Sequence, residues 1–335
     1  MTVTRTNSDT ATDTNTNTGT DDTQRLPQSF YDVPGWFFNT DVVLFDWFLA
    51  RQEREKQDGD LLEMGAYMGK SAIFMSGHLR SGETFTVCDL FDSEAPDGRN
   101  DAEVRGSYST LTRRSFEANY LSFRQQLPRV IQAPTSVVPG MVEDDSCRFV
   151  HVDASHLYEH VRGDIAAARG ALRGDGVVVL DDFRSEHTPG VACATWEAVV
   201  GEGLRPICVS PNKFYGTWGD PAPMQQELLA ELRERGDFWT SPQDVAGHSL
   251  VIVNGPKAKP PRLPASRHAP QETEGTKEAA TVRAAAPRQA PEPARTLQRP
   301  RRSALRRLAV DLLPPIVTRA VVRGLRVLRR ARSKA

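Results

Sequence analysis

Long apolar runs are missing from this 335-residue chain. No window of about eighteen uncharged apolar residues occurs, so no membrane-crossing helix is expected. Cysteine is scarce. Cys88, Cys147, Cys193 and Cys208 lie far apart and form no CxxC pair, which argues against a zinc site and against a disulfide scaffold and fits a reducing, cytoplasmic setting. The first 25 residues have little to bury: after Met1 only Val3 and Ala11 are apolar. They cannot offset the entropy of ordering and read as a disordered tail. They also lack the basic start and apolar run of a secretory signal. Net charge is nearly absent, at −1, but the two signs are segregated. Residues 256–335 carry 20 Lys and Arg against 5 Asp and Glu, whereas residues 1–255 carry 22 against 38. An acidic body is disfavoured beside a phosphate backbone, so no nucleic-acid partner is expected.

What is present begins near Leu26 and runs to about Gly255 as one domain. Thr40 can cap a helix that carries Val43, Leu44, Trp47 and Phe48 and ends in the charged run 51–56. Short apolar strands then alternate with helices. The strands are Leu61–Met64, Phe85–Cys88, Val130–Gln132, Phe149–Val152, Val177–Leu180, Pro206–Val209 and Leu250–Val253. Helices are read at Gly69–Leu79, Leu111–Leu127, Leu157–Leu172 and Val191–Val200. This pattern predicts an α/β fold: a doubly wound, mostly parallel, seven-stranded sheet with helices on both faces. Ligands of such sheets lie at the carboxyl ends of the strands. Glu63, Asp89, Asp153, Asp181 and Asp182 cluster at those ends.

The first strand runs into Glu63-Met64-Gly65-Ala66-Tyr67-Met68-Gly69-Lys70-Ser71 and then a helix. Glycines let the backbone turn tightly and approach a ligand, and the helix start offers free N–H groups to a carboxylate. The loop is not a phosphate-binding P-loop, which needs four residues between its glycines where this one has three. Nor does it fit GxGxxG, because position 67 is Tyr. Asp89, about twenty residues on, ends the second strand, where a carboxylate can accept both hydroxyls of a ribose.

The loop resembles that of catechol-type and caffeoyl-CoA-type O-methyltransferases, whose motif runs E-hydrophobic-G-x-Y-x-G-x-S. Glu63, Gly65, Tyr67, Gly69 and Ser71 match it position by position. Asp153, His156 and Tyr158 form a D-x-x-H-x-Y segment similar to that of bacterial methyltransferases dependent on S-adenosylmethionine (SAM), a group that includes macrolide-sugar O-methyltransferases. The resemblance spans Asp60 to Asp182. It implies a class I, Rossmann-like SAM methyltransferase in which the glycine loop holds the methionine portion of SAM and Asp89 holds its ribose. Thr135 and Ser136 then fall near the adenine.

Asp153, Asp181 and Asp182 end adjacent strands. Carboxylates so clustered repel unless a cation or protons intervene, and such oxygen ligands suit Mg²⁺ or another divalent cation. In the catechol-type enzymes the matching positions are Asp, Asp and Asn, and they bind such a metal; Asp182 departs from that set. A bound ion would lower the pKa of an acceptor hydroxyl and orient it toward the methyl group. His156, three residues after Asp153, is a candidate general base; Asp153 is the second candidate catalytic residue. His151, inside a strand, reads as structural, and His187 as a loop residue that can line a pocket. The polar stretch Asp92–Tyr108 is a candidate lid. Asn212–Gly219, with Phe214, Tyr215 and Trp218, is a candidate apolar wall.

The function expected is metal-assisted O-methylation of a small-molecule hydroxyl of sugar or natural-product type; the alternatives are metal-free methyl transfer with His156 as base and a non-catalytic SAM-fold scaffold with a membrane-associating tail. No Asn/Asp-Pro-Pro-Tyr/Phe motif of base-methylating enzymes occurs. Residues 256–300, rich in Pro, Ala, Arg and Glu, read as a disordered linker. In residues 301–335, Pro314-Pro315 breaks any helix. Beyond it, in a candidate helix from Ile316 to Arg332, Val317, Ala320, Val321, Gly324, Leu325 and Leu328 share one face, and Arg319, Arg323, Arg326 and Arg330 the other. Such a segment can lie on an anionic membrane. The expected partners are thus a small-molecule acceptor and, through the tail, a membrane surface. Homo-oligomerisation is left open.

Overall fold

The computed structural model describes residues 26–108 and 110–270. The expectations for residues 1–25, 271–300 and 301–335 lie outside the described residues. The chain divides into two units, Met1–Gln271 and Glu272–Ala335, and every described residue belongs to the first.

In chain order the elements are α1 (Asn39–Arg54), β1 (Asp60–Met64), α2 (Lys70–Met75), β2 (Phe85–Asp89), α3 (Gly98–Ser107), α4 (Arg113–Leu121), β3 (Arg129–Gln132), α5 (Val138–Met141), β4 (Cys147–Val152), α6 (Tyr158–Ala171), β5 (Leu172–Leu180), α7 (Pro189–Gly201), β6 (Arg205–Val209), β7 (Phe214–Thr217), α8 (Ala222–Arg235), β8 (Trp239–Val245) and β9 (His248–Asn254), with short 3₁₀ turns at Phe30–Asp32, Ser76–His78 and Thr135–Val137. The strands form one sheet in the order β3-β2-β1-β4-β5-β7-β6-β9-β8. β7 lies antiparallel between β5 and β6, and β8 lies antiparallel on β9; every other pairing is parallel.

The central strands are buried on both faces, which is why they read as near-continuous apolar runs. Alternate residues feed two cores. Leu61, Phe85, Val87, Phe149, Val177 and Val179 pack under α1, α2, α4 and α8. Leu62, Met64, Cys88, Val150, Val178 and Leu180 pack under α5, α6 and α7. α1 alone buries Leu44, Phe45, Trp47, Phe48 and Leu49, each worth roughly 1.5–3 kcal/mol of transfer free energy.

The sheet has nine strands, not the seven expected. β7 lies within the stretch read as an apolar wall: four residues that include Gly216 give little periodicity. β8 is an edge strand with Pro242, exposed over much of its length; proline and exposure both argue against a strand at the level of sequence. α3 occupies the candidate lid and is capped by the Asp97 side chain, which accepts from the N–H groups of Arg99 and Asn100. Thr40 does not cap α1. Phe38 is the N-cap, and the Thr40 hydroxyl donates to the carbonyl of Gly255 at 2.9 Å. Packing also continues beyond Gly255. Ala258 is buried, the Arg267 N–H donates to the Ser122 carbonyl, and Ser266 Oγ donates to the Pro27 carbonyl at 2.6 Å.

The strand order reverses between β1 and β4, and ligands of such sheets bind at that switch point. Here it draws the glycine loop against the end of β4: the Asp153 N–H donates to the Met64 carbonyl, and the Gly65 N–H to the Cys88 carbonyl.

Candidate active site

A cavity of about 580 Å³ opens at this switch point, bounded by the glycine loop, the ends of β2, β4 and β5, α3 and residues 34–38. Gly65 shows why its position takes no side chain. Its φ is +82°, and an added Cβ would lie 2.1 Å from the Asp153 carbonyl oxygen. Tyr67 adopts φ +48°, a left-handed conformation that costs a non-glycine residue roughly 1–2 kcal/mol. Its ring stacks on Trp36, with centroids 5.6 Å apart.

Asp89 faces the cavity but is already engaged. Its Oδ2 accepts from the N–H groups of Ala66 (2.6 Å) and Tyr67 (3.0 Å), and its Oδ1 from that of Phe91 (2.6 Å). Burial pushes its pKa up, against those three donors. The expected ribose carboxylate is therefore also the clamp that holds the glycine loop in its strained form. Ser71 and Thr135 line the cavity.

Glu63, Gly69 and Ser136 do not line it. Gly69, at φ +89°, turns the loop against the Phe116 ring. Glu63 is fully buried, with Oε1 2.8 Å from His151 Nδ1 and Oε2 unpartnered. It lies beneath the cavity wall, in contact with it through His151. His151, read from sequence as purely structural, lines the cavity. Its Nε2 lies 3.7 Å from Asp181 Oδ2 and 3.5 Å from Lys213 Nζ. Burial and Lys213 depress its pKa, but Asp181 and Glu63 outweigh them and raise it to about 9.

The structure brings Asp153, Asp181 and Asp182 together, but in two groups. Asp153 and Asp181 face each other. Burial and the Asp181 charge push Asp153 well above the ordinary carboxylate range, whereas Lys213 and His151 hold Asp181 well below it despite burial. Asp182, at φ +54°, turns toward His156. Its Oδ1 accepts from Ser185 Oγ at 2.5 Å, and its Oδ2 lies 3.0 Å from His156 Nε2, a charge contact without hydrogen-bond alignment. On the other side, His156 Nδ1 lies 2.7 Å from Glu103 Oε1, and the His156 N–H donates to the same carboxylate at 2.9 Å. Burial lowers the His156 pKa, but Asp182 and Glu103 reverse that and raise it to about 10. Glu103 is held at about 2 despite its burial, by the hydrogen bonds from His156.

Two residues of this centre escaped the sequence reading. Glu103 reaches in from α3, and Lys213 from the turn before β7. The candidate apolar wall is corrected. Of Asn212–Gly219, only Asn212 and Lys213 line the cavity. Phe214 and Tyr215 are buried in the cores, and Trp218 Nε1 donates to the Glu202 carbonyl. Trp36, Phe37, Phe38 and Tyr108 line the cavity instead, and His187 lines it as expected. Tyr158 points away, with its hydroxyl on Glu197.

The sequence profile described as "Methyltransferase domain" matches residues 62–183, from β1 through the Asp181–Asp182 pair. Residues 62–183 are a methyltransferase domain. Its class takes the methyl group from SAM. No curated protein matches the chain by sequence. Among solved structures, the O-methyltransferase NovP aligns at 18% identity over 54% of this chain and 80% of its own, with a TM-score of 0.45. CalS11, a TDP-rhamnose 3'-O-methyltransferase of calicheamicin biosynthesis, aligns at 20% identity over 54% and 80%, with a TM-score of 0.37. The O-methyltransferase TomG from Streptomyces achromogenes, in complex with SAM, aligns at 15% identity over 62% and 76%, with a TM-score of 0.29. The profile match, not these alignments, carries the assignment.

The resemblance of this methyltransferase domain to metal-assisted enzymes calls for a divalent ion at the carboxylates. Donor atoms do converge: those of His151, Asp153 and Asp181, and those of Asp153, His156 and Asp182, lie within 4.8 Å of one another. Cations of the protein itself, however, already serve them. The Lys213 ammonium is in contact with Asp181 Oδ2, and the His156 imidazolium faces Asp182. Both oxygens of Asp181 already face donors, Lys213 on Oδ2 and Asn212 with the Asp182 N–H on Oδ1, so a divalent ion would have to displace them against the ammonium's own charge. With Lys213 in place, the donor set does not fit the expected Mg²⁺ or other divalent ion at Asp153, Asp181 and Asp182.

Proposed function

We propose that this protein is a SAM-dependent O-methyltransferase that methylates a small-molecule hydroxyl of sugar or natural-product type, without a divalent metal. The observation that carries this reading is His156, held between Glu103 and Asp182 on the wall of the cavity that the glycine loop also borders. Bound SAM supplies an electrophilic methyl group on a sulfonium. In the free protein His156 holds its proton, with a pKa of about 10. Beside another positive charge in the same cavity, the imidazolium is disfavoured and its pKa falls. With its proton kept on Nδ1 toward Glu103, His156 then becomes a base through Nε2 for a hydroxyl that enters between this nitrogen and Asp182, and Glu103 keeps its ring in place. Transfer is a direct displacement, so much of the rate comes from alignment of oxygen, carbon and sulfur.

Two features support a small acceptor. The cavity volume is of the size that encloses small ligands, and α3 borders it through Asn100, Glu103 and Val104. Trp36 and Phe38, 62% and 52% exposed, offer flat apolar surface suited to a sugar ring or a planar natural product. The test is calorimetric titration with SAM, followed by a methyl-transfer screen of hydroxylated small molecules with and without EDTA. Turnover that survives EDTA is expected. Absence of SAM binding at millimolar concentration would overturn the assignment, and turnover abolished by EDTA and restored by Mg²⁺ would overturn the metal-free form.

A further inference from the structure

We propose that Lys213 is the resident cation of the carboxylate centre, its ammonium occupying the place that a divalent ion takes in metal-assisted methyl transfer. The backbone fixes this residue from both sides. Its N–H donates to Ser210 Oγ at 2.8 Å, and its carbonyl accepts from the Ser210 N–H at 2.9 Å. The antiparallel register of Leu180 with Phe214 then sets position 213 beside the end of β5, where Asp181 begins.

The side chain is 1% exposed yet borders the cavity. A lysine so placed loses its proton unless anions hold it. Here an anion is at hand: the Asp181 carboxylate lies directly against the ammonium. Its Nζ meets Asp181 Oδ2 and lies 5.9 Å from the centroid of the Phe37 ring. The other oxygen of Asp181 accepts from Asn212 Nδ2 at 2.5 Å and from the Asp182 N–H at 2.8 Å. Both oxygens of the central carboxylate are thus served by this chain's own donors. Lys213 is a positioning residue. It holds Asp181 at the cavity edge and brings a positive charge to that wall.

The inference deepens the O-methyltransferase reading and rests on it for its catalytic meaning, but its test does not need turnover. The full-length protein is titrated with Mn²⁺, followed by calorimetry and by the Mn²⁺ electron paramagnetic resonance signal, alongside SAM titration as a check on the fold. The wild type is expected to bind no stoichiometric Mn²⁺. Lys213→Ala, which frees the carboxylates, is expected to bind one equivalent with affinity at least about tenfold above the wild type, and Lys213→Arg is expected to behave as the wild type. One equivalent of Mn²⁺ on the wild type, lost in Asp181→Asn, overturns the proposal whether or not Lys213→Ala folds. Equal Mn²⁺ behaviour of the wild type and a folded Lys213→Ala also overturns it. Loss of SAM binding by the wild type would instead strike the methyltransferase reading.

Discussion

Replacing Asp89 by Asn tests how the glycine loop is held. The carboxylate accepts three backbone N–H groups, those of Ala66, Tyr67 and Phe91, at 2.6, 3.0 and 2.6 Å. An amide of the same shape has only one acceptor oxygen. Turned toward the loop, it faces the Phe91 N–H with its own NH₂; turned the other way, it abandons Ala66 and Tyr67. At least one N–H loses its acceptor, at a cost of about 1–3 kcal/mol, and the bonds that survive lose their charge assistance. A net loss of about 3 kcal/mol in stability follows. Tyr67 at φ +48° is the part of the loop that relaxes first, since the clamp offsets the strain of its backbone and only ring contacts with Trp36 and Tyr108 remain without it. SAM affinity is therefore expected to fall by about tenfold to a hundredfold. Urea denaturation measures the first effect and calorimetric titration with SAM the second. A midpoint and a SAM affinity both equal to wild type would refute the clamp and the strand-end assignment together.

Gly65→Ala is expected to abolish SAM binding, because the new Cβ meets the Asp153 carbonyl oxygen at 2.1 Å; calorimetry showing wild-type affinity would contradict this. Glu83→Gln should cost about 3–5 kcal/mol in urea denaturation by leaving the guanidinium of Arg148, 2% exposed, short of its charged partner. Although burial alone would raise the Glu83 pKa, Arg148 and Arg80 depress it. Its contribution is therefore present above the ordinary carboxylate pKa of about 4.3 and is lost as pH falls through the lower folded value, so the variant should lose less stability than the wild type across that acid range. His156→Gln should lower kcat by about 10²–10⁴ with SAM affinity kept; kcat within twofold would remove His156 from the chemistry. For the basic C-terminal segment, the full chain is expected to co-sediment with anionic vesicles at low salt, and a chain ending at Pro270 to stay in solution; equal partition of the two would discard membrane contact.

The sequence made the left half of the sheet legible because strands buried on both faces are written as short apolar runs. Phe149-Val150-His151-Val152 and Val177–Leu180 end in carboxylates for the same reason that they hold the site: the chain leaves the sheet there and can present polar groups. The edge was illegible. Exposure of β8 removes the apolar signal, and Pro242 contradicts it. The site divides in the same way. Gly65, Asp89, Asp153 and His156 lie at or just beyond strand ends that are legible in the sequence, and the structure sets all four on the cavity wall. Lys213 and Glu103 were not legible, because nothing near Lys213 announces Asp181, 32 residues earlier, or near Glu103 announces His156, 53 residues later. Those partners are fixed by the pairing of β5 with β7 and by the packing of α3. His151 sits in a buried strand, as its apolar neighbours imply, yet its ring also reaches the cavity. Glu63 beneath it and Asp181 beside it turn the same ring into part of the charged floor.

The hydrogen bond from Ser266 Oγ to the carbonyl of Pro27 joins two points 239 residues apart, at opposite ends of the described domain. Chain entry and chain exit are therefore neighbours, and the domain is close to a ring in its connectivity. Compact units of this kind accept re-cutting. A short linker from Pro270 to Leu26 would leave all sheet pairings in place, and new ends could then be opened in an exposed turn such as Ala246–Gly247 between β8 and β9.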